Sequence, residues 1–172
     1  PSANITTKVS AVKAKDVKVE FGNKIKYILN GGTCTIGIES TIINLTGRPT
    51  ILRLGGLDIL KIQKTLGFKM NISTNPKKKI APGQSHLHYS PGIPLRMNVT
   101  KPKNDEAFII IKKKKTKLKN YFYLTSKGNL DEAAKNLYSC LRNIKNEGYK
   151  SIAVEKIPNI GLGKAINDRL RR

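Results

Sequence analysis

Tryptophan is absent from the 172 residues, and the aromatic share is only 6%. With Tyr121-Phe122-Tyr123 reading as a strand, no row of exposed rings is left to stack single-stranded bases. Cysteine occurs twice, at Cys34 and Cys140, with no CxxC and no Cys/His cluster. That pattern indicates neither a disulfide framework nor a zinc site, and it suits a reducing compartment. No apolar run approaches bilayer-spanning length, and Pro1-Ser2-Ala3-Asn4 is no charged-then-apolar leader, so a cytoplasmic protein without a membrane partner is expected. Acidic residues are scarce: 11 stand against 33 lysines and arginines, for a formal charge of +22. An acidic solvating tail is excluded, while 38% hydrophobic residues suffice for a core and exclude a disordered polybasic arm.

The positive excess is uneven. Residues 1–68 carry 10 basic and 4 acidic side chains, residues 69–172 carry 23 and 7, and lysine runs occur at 77–79 and 112–115. Such a field attracts polyanions by counterion release, so a non-catalytic basic RNA-binding module is one reading of the chain. A lysine-biased composition spread over solvated faces explains the same charge without any ligand.

Periodicity divides the chain in three. Residues 10–20 carry an imperfect amphipathic helix pattern, residues 25–29 read as a strand ending at Asn30-Gly31-Gly32, and residues 36–45 and 50–54 read as two more strands around the turn Thr46-Gly47-Arg48-Pro49. A helix with Leu57, Leu60 and Ile62 apolar follows to Gly67. Between residues 71 and 94, Pro76, Pro82, Pro91 and Pro94 interrupt regular structure and mark a linker. Strands at 107–111, 121–125 and 151–157 then alternate with a helix at 130–146, capped by Asn129 with Glu132 three residues on, and a terminal helix at 162–170. This is an α/β pattern with a small, mostly parallel sheet.

Three stretches in register are specific where each alone is weak. They are Pro1-Ser2-Ala3-Asn4; the run Asn30-Gly31-Gly32-Thr33-Cys34-Thr35-Ile36-Gly37-Ile38-Glu39-Ser40-Thr41-Ile42 with Ile51-Leu52-Arg53-Leu54-Gly55-Gly56; and Ala81-Pro82-Gly83-Gln84 leading to His88-Tyr89-Ser90-Pro91. Their order and spacing resemble the long, two-domain form of the YrdC-type threonylcarbamoyl-AMP synthases, and the ending from Gly161 to Leu170 resembles that form's last domain. Departures occur at Thr7 and at Ser10-Ala11-Val12, where a hydroxyl that often helps hold the nucleotide is lost, and at Ser85-His86-Leu87 before His88. Singly, Ser40 is an ordinary strand residue and Arg53 a surface cation; only the joint register assigns them more.

The resemblance implies the C-terminal portion of a YrdC-like catalytic domain over residues 1–68, a linker acting as a lid over 69–94, and a small Rossmann-like accessory domain over 95–172. The implied reaction joins L-threonine, bicarbonate and ATP into threonylcarbamoyl-AMP and pyrophosphate, for threonylcarbamoyladenosine formation on tRNA. Ser2 and Ser40 would bind threonine; Asn4, Arg53 and Tyr89 would bind ATP. Gly31, Gly32, Gly55 and Gly56 would let backbone approach the ligand, and Tyr89 would close the lid. No residue is assigned covalent chemistry, because positioning and charge neutralisation carry this kind of transfer. Magnesium would arrive with ATP, no protein metal site is implied, and tRNA or the downstream threonylcarbamoyl-transferase proteins are the implied partners. The chain starts at Pro1, and the family's front portion, with its Lys/Arg motif, has no counterpart here. The expectation is therefore a fragment inactive on its own. Cys34 is expected to be buried within its motif.

Overall fold

The computed structural model describes residues 3–85, 88–116 and 118–172; Ser2 and His86, both named above, lie outside the described residues. Ala14–Phe21 form helix α1, and a turn of 3-10 helix follows over Gly22–Lys24. The start of α1 is pinned by Asp16, whose Oδ2 accepts from the backbone N–H groups of Val12 and Lys13. Strands β1 (Ile42–Asn44) and β2 (Thr50–Arg53) make an antiparallel hairpin. Helix α2 (Ile59–Leu66) begins at Asp58, which accepts from Leu60 N–H, and stops at left-handed Gly67. Strand β3 (Asn71–Ile72) then returns parallel to β2, giving the sheet order β1-β2-β3.

Four expectations fail in this front part. Residues 25–29 form no strand: among the described residues no strand pairs with them, and Tyr27 and Leu29 are 85% and 95% exposed. The expected strand over 36–45 shrinks to β1. β-propensity is realised only against a neighbouring strand, and no partner lies alongside these segments. Helix α2 buries Ile59 and half-buries Ile62, whereas Leu57 and Leu60 face solvent. Cys34 is exposed for the same reason as Leu29; its N–H donates to Val12 O, but its side chain has no core to enter.

The back part holds β4 (Leu95–Arg96), β5 (Glu106–Lys112), β6 (Tyr121–Thr125), helix α3 (Leu130–Asn146), β7 (Ser151–Val154) and helix α4 (Gly163–Leu170). Its four strands run in the order β4-β7-β5-β6, and every neighbouring pair is parallel. The mixed α/β architecture with a mostly parallel sheet is thus observed, with β4 as a strand the sequence did not announce. Alternation along β5 sends Ala107 and Ile109 under α3 and turns Phe108 and Ile110 to the other face, where Tyr121 meets Phe108 edge-on at 5.2 Å. Asn129 caps α3 by accepting from Asp131 and Glu132 N–H. Glu132 does not close the capping box: its carboxylate accepts from Ser126 N–H instead.

Helix α3 also holds the two parts together. Its buried Leu137, Tyr138 and Leu141 share one core with Val9, Val12 and Ile38 from the front, and Arg142 donates to Val9 O and Glu20. Each fully buried aliphatic side chain in that core contributes roughly 1.5–3 kcal/mol.

Candidate functional site

Strand β2 ends on Arg53, which is only 9% exposed. Its Nε donates to Ser40 O at 2.9 Å, one terminal nitrogen donates to Ser40 Oγ at 3.1 Å, and the other reaches Pro82 O at 3.4 Å. One guanidinium therefore ties the Glu39-Ser40 segment to the proline-rich stretch. Five N–H donors are available on arginine, so two remain for a ligand. The close approach of residues 39–41 to residues 53–56 requires Gly55, since a Cβ there would collide with Ser40, Thr41 and Glu39 backbone atoms. Gly55 thus admits the chain's own backbone; Gly31 and Gly32 have no atom within 4 Å of an added Cβ.

The proline-rich stretch is fastened rather than loose. Gln84 is 1% exposed and uses its whole amide: Oε1 accepts from Ile80 and Ala81 N–H, and Nε2 donates to Leu52 O and Ser73 O. Gly83 is at φ 83°, and a Cβ there would collide with the Tyr89 hydroxyl and crowd Arg53 Cδ. Further on, Ser90 N–H donates to Thr7 O, and Lys8 and Ser90 form a parallel bridge. The Asn4 loop, the Ser40–Arg53 pair and the Tyr89 segment, remote in sequence, are therefore contiguous.

Tyr89 is 2% exposed and adopts a positive φ of 59°, a strained setting for a bulky residue. Its ring lies 4.5 Å from the Arg169 guanidinium and 4.1 Å, centroid to centroid, from His88. On its outer side it borders a cavity of about 210 Å³ with Arg169, Arg171, Arg172 and Leu141, which Ser40 and Arg53 do not line. Burial, with Glu39 adding to it, raises the phenol above its ordinary pKa despite Arg169 and Arg53, so the hydroxyl is neutral. Arg53 stands beside that hydroxyl without making a hydrogen bond of sound geometry. Among the described residues four buried side-chain polar atoms lack a partner, and three fall here: Asn4 Oδ1, His88 Nδ1 and Tyr89 OH. Burial, opposed by Glu39 and reinforced by the repulsion of Arg169, Arg172 and Arg53, lowers the His88 pKa, so the ring is neutral at pH 7.

Beneath this cluster lies a charge network that composition and motif reasoning passed over. Glu39 accepts from Ser10 Oγ, from Tyr138 OH at 2.9 Å, and from Arg169 Nε at 2.9 Å. Arg169, 2% exposed, also donates to Asp168 and to Leu54 O, both at 2.7 Å. Burial pushes the Glu39 carboxyl up, but Arg169 and the Ser10 hydroxyl outweigh it and leave the group below its ordinary value. Burial likewise opposes the Arg169 charge, and the ionised Glu39 hydrogen-bonded to it favours that charge. Arg172 completes the joint by donating to Asp168, Thr74 O and Ser85 O.

Of the residues assigned from sequence, Ser40, Arg53 and Tyr89 come together, and Asn4 lies on the adjoining loop. Among the described residues no group of three or more metal-ligating side chains is assembled, and no helix is long and apolar enough to cross a membrane.

An α/β unit whose parallel sheet anchors a motif-bearing strap over a short mixed sheet defines a recognisable class. Residues 57–172 match the family model described as threonylcarbamoyl-AMP synthase, C-terminal domain, and the chain belongs to that family. Residues 1–55 match a second model, described as telomere recombination. The whole chain is 33% identical to the threonylcarbamoyl-AMP synthase of Pyrococcus abyssi, covering 56% of it, and 29% identical to that of Bacillus subtilis, covering 55%. A crystal structure of Pyrococcus abyssi Sua5 complexed with L-threonine superposes with a TM-score of 0.84 at 32% identity, over 99% of this chain and 56% of that one. The chain thus spans little more than half the length of the relatives it matches.

Proposed function

We propose that the chain forms the back part of the site of a threonylcarbamoyl-AMP synthase, which converts L-threonine, bicarbonate and ATP into threonylcarbamoyl-AMP and pyrophosphate. The observation that supports this reading is an Arg53 tied to Ser40, with two donors to spare, beside a buried Tyr89 hydroxyl that has no partner within the chain. Buried polar atoms are rarely left without partners, and a ligand's donors and acceptors would serve these. Ser40, with Ser2, would hold threonine; Asn4, Arg53 and Tyr89 would hold ATP. One relative of known structure was solved with L-threonine, which favours the amino acid half of the reading.

In this reading Arg53 offers two parallel N–H groups to phosphate oxygens and neutralises the repulsion between the two anionic reactants. Tyr89, as a neutral phenol, donates to an anionic oxygen, and the strap it belongs to keeps water from a labile mixed anhydride. Magnesium would enter with the nucleotide's phosphates. The exposed apolar side chains of the front part, Tyr27, Leu29, Ile36 and Leu45, mark where the unmatched length of the fold would pack.

The test is pyrophosphate release from ATP, dependent on both L-threonine and bicarbonate, by the polypeptide that carries these residues. Arg53→Ala is expected to cut the rate about 100-fold, the order found for loss of one preorganised donor, and Ser40→Ala to raise the threonine requirement. Arg53→Lys should restore little, because a point charge cannot replace the fork. Wild-type rates in both alanine variants would remove these residues from the site.

A further inference from the structure

Arg169 reaches the neighbourhood of the proposed site from the last helix, α4. Its guanidinium is buried and donates in three directions: Nε to Glu39, one terminal nitrogen to Asp168 and the other to Leu54 O. Glu39 precedes Ser40 in the chain, and Leu54 follows Arg53. The same guanidinium lies 4.5 Å from the Tyr89 ring, and the Tyr138 ring stacks on Tyr89 at 6.0 Å with the planes 17° apart. One side chain therefore touches a chain neighbour of Ser40, a chain neighbour of Arg53, and Tyr89 itself.

Cohesion alone does not call for this arrangement. Apolar residues of equal volume often join two parts of a fold as well as a buried ion pair does, because the pair must first offset the desolvation of its charges. Helix α3 already supplies such residues, with Leu137 and Leu141 in one core with Val9, Val12 and Ile38. What the planar fork adds is direction: its N–H groups fix where the Glu39 carboxylate and the Leu54 carbonyl stand relative to each other, whereas an apolar contact lets both slide. Tyr89 needs the same restraint. At φ 59° its backbone is strained, and such a conformation persists only where the surroundings over-determine it. Arg169 and Tyr138 are two of those surroundings.

We infer that Arg169 is a positioning residue of the synthase site: it sets Ser40, Arg53 and Tyr89 in the geometry in which they meet their ligands, and it acts through them rather than on a substrate. The inference rests on the synthase reading above and adds to it a residue of the back part.

Steady-state pyrophosphate release, with ATP and L-threonine each varied, tests this on the polypeptide that carries these residues, alongside thermal unfolding of every variant. Arg169→Met/Glu39→Gln removes both charges of the pair, and Asp168 keeps Arg172, so the double variant should be folded well below its Tm. Its KM for ATP should nevertheless rise about tenfold or more, since a misplacement of about 1 Å costs up to about 100-fold. Arg169→Lys should unfold close to wild type, because an ammonium still pairs with Glu39. Its KM for ATP should rise as well, because one point charge cannot donate to Glu39, Asp168 and Leu54 O together. A merely cohesive role gives another pattern: both variants keep wild-type KM values and lose rate only as folded molecules are lost, and that result would overturn the inference. Arg53→Ala, measured in parallel, separates the two layers. If it loses rate while the Arg169 variants keep wild-type KM values, the positioning role falls and the synthase reading stands; a wild-type rate in Arg53→Ala removes both.

Discussion

Replacing Arg169 with methionine isolates the network under the site. Methionine keeps much of the volume and removes the charge, so packing against the Tyr89 ring largely survives while Glu39 loses its ionic partner. Removing one member of a buried pair costs about 3–5 kcal/mol. Here Ser10 and Tyr138 continue to donate to Glu39, and Asp168 keeps Arg172, so the low end, about 3 kcal/mol, is expected. For a chain of this length that amounts to a fall in Tm of about 6–12 °C. Removing both charges at once, in Arg169→Met/Glu39→Gln, leaves no stranded ion, and the double variant should recover at least half of the loss.

The pH dependence follows from the same pair. The folded pKa of Glu39 lies below its ordinary value, so its contribution is complete above the ordinary carboxylate range and is lost as pH falls through the folded value. The Tm gap between wild type and Arg169→Met should therefore be widest near neutrality and close in acid. Urea melts at several pH values, on wild type, both single variants and the double, supply the full cycle. A single-variant cost below about 1 kcal/mol, or a double variant no better than the sum of its singles, would refute the reasoning.

Gln84→Ala strands two backbone donors and two backbone acceptors, and a local loss of about 2–3 kcal/mol should speed tryptic cleavage at Lys77, Lys78 and Lys79 by about tenfold or more without a comparable change at Lys113–Lys115. A thiol titration with Ellman's reagent should find Cys34 reactive at once and Cys140 silent until denaturant is added, because burial pushes the Cys140 thiol up to about 12. Moderate salt should raise Tm: it screens the mutual repulsion of surface lysines in a chain of charge +22 more than it weakens the buried Glu39–Arg169 pair.

Where a segment carries its own neighbours, the sequence was enough. Helix α3 has an amide cap, a single apolar stripe and a glycine beyond its end, and its bounds matched the expected 130–146; β6 matched likewise. Where a segment depends on a partner elsewhere, pattern misled. Residues 25–29 have strand composition but nothing to pair with, and β3 and β4, two residues each, exist only because longer strands lie alongside. The convergence of the Ser40, Arg53 and Tyr89 stretches was legible through the family resemblance and not through periodicity. Glu39, Tyr138 and Arg169 were not legible at all, since a contact across 99 or 130 residues leaves no local signature.

The scarcity of acid explains why that network matters. Of the 11 acidic side chains, Asp16, Glu20, Glu39, Asp58, Glu106, Glu132, Glu155 and Asp168 each accept a hydrogen bond that fixes a helix start, a strand edge or the joint between the two parts. Few are left to neutralise the surface, so the positive field is uncompensated wherever solvent reaches. The carboxylate with the longest reach, Glu39, lies beside Ser40 and is gripped by Arg169, which also holds the carbonyl next to Arg53 and the face of Tyr89. One buried cation from the terminal helix thus fixes a neighbour of each proposed ligand-binding residue on the strand pair and the strap. The back part of the chain contributes to the site by position, whether or not any of its own atoms touches a ligand.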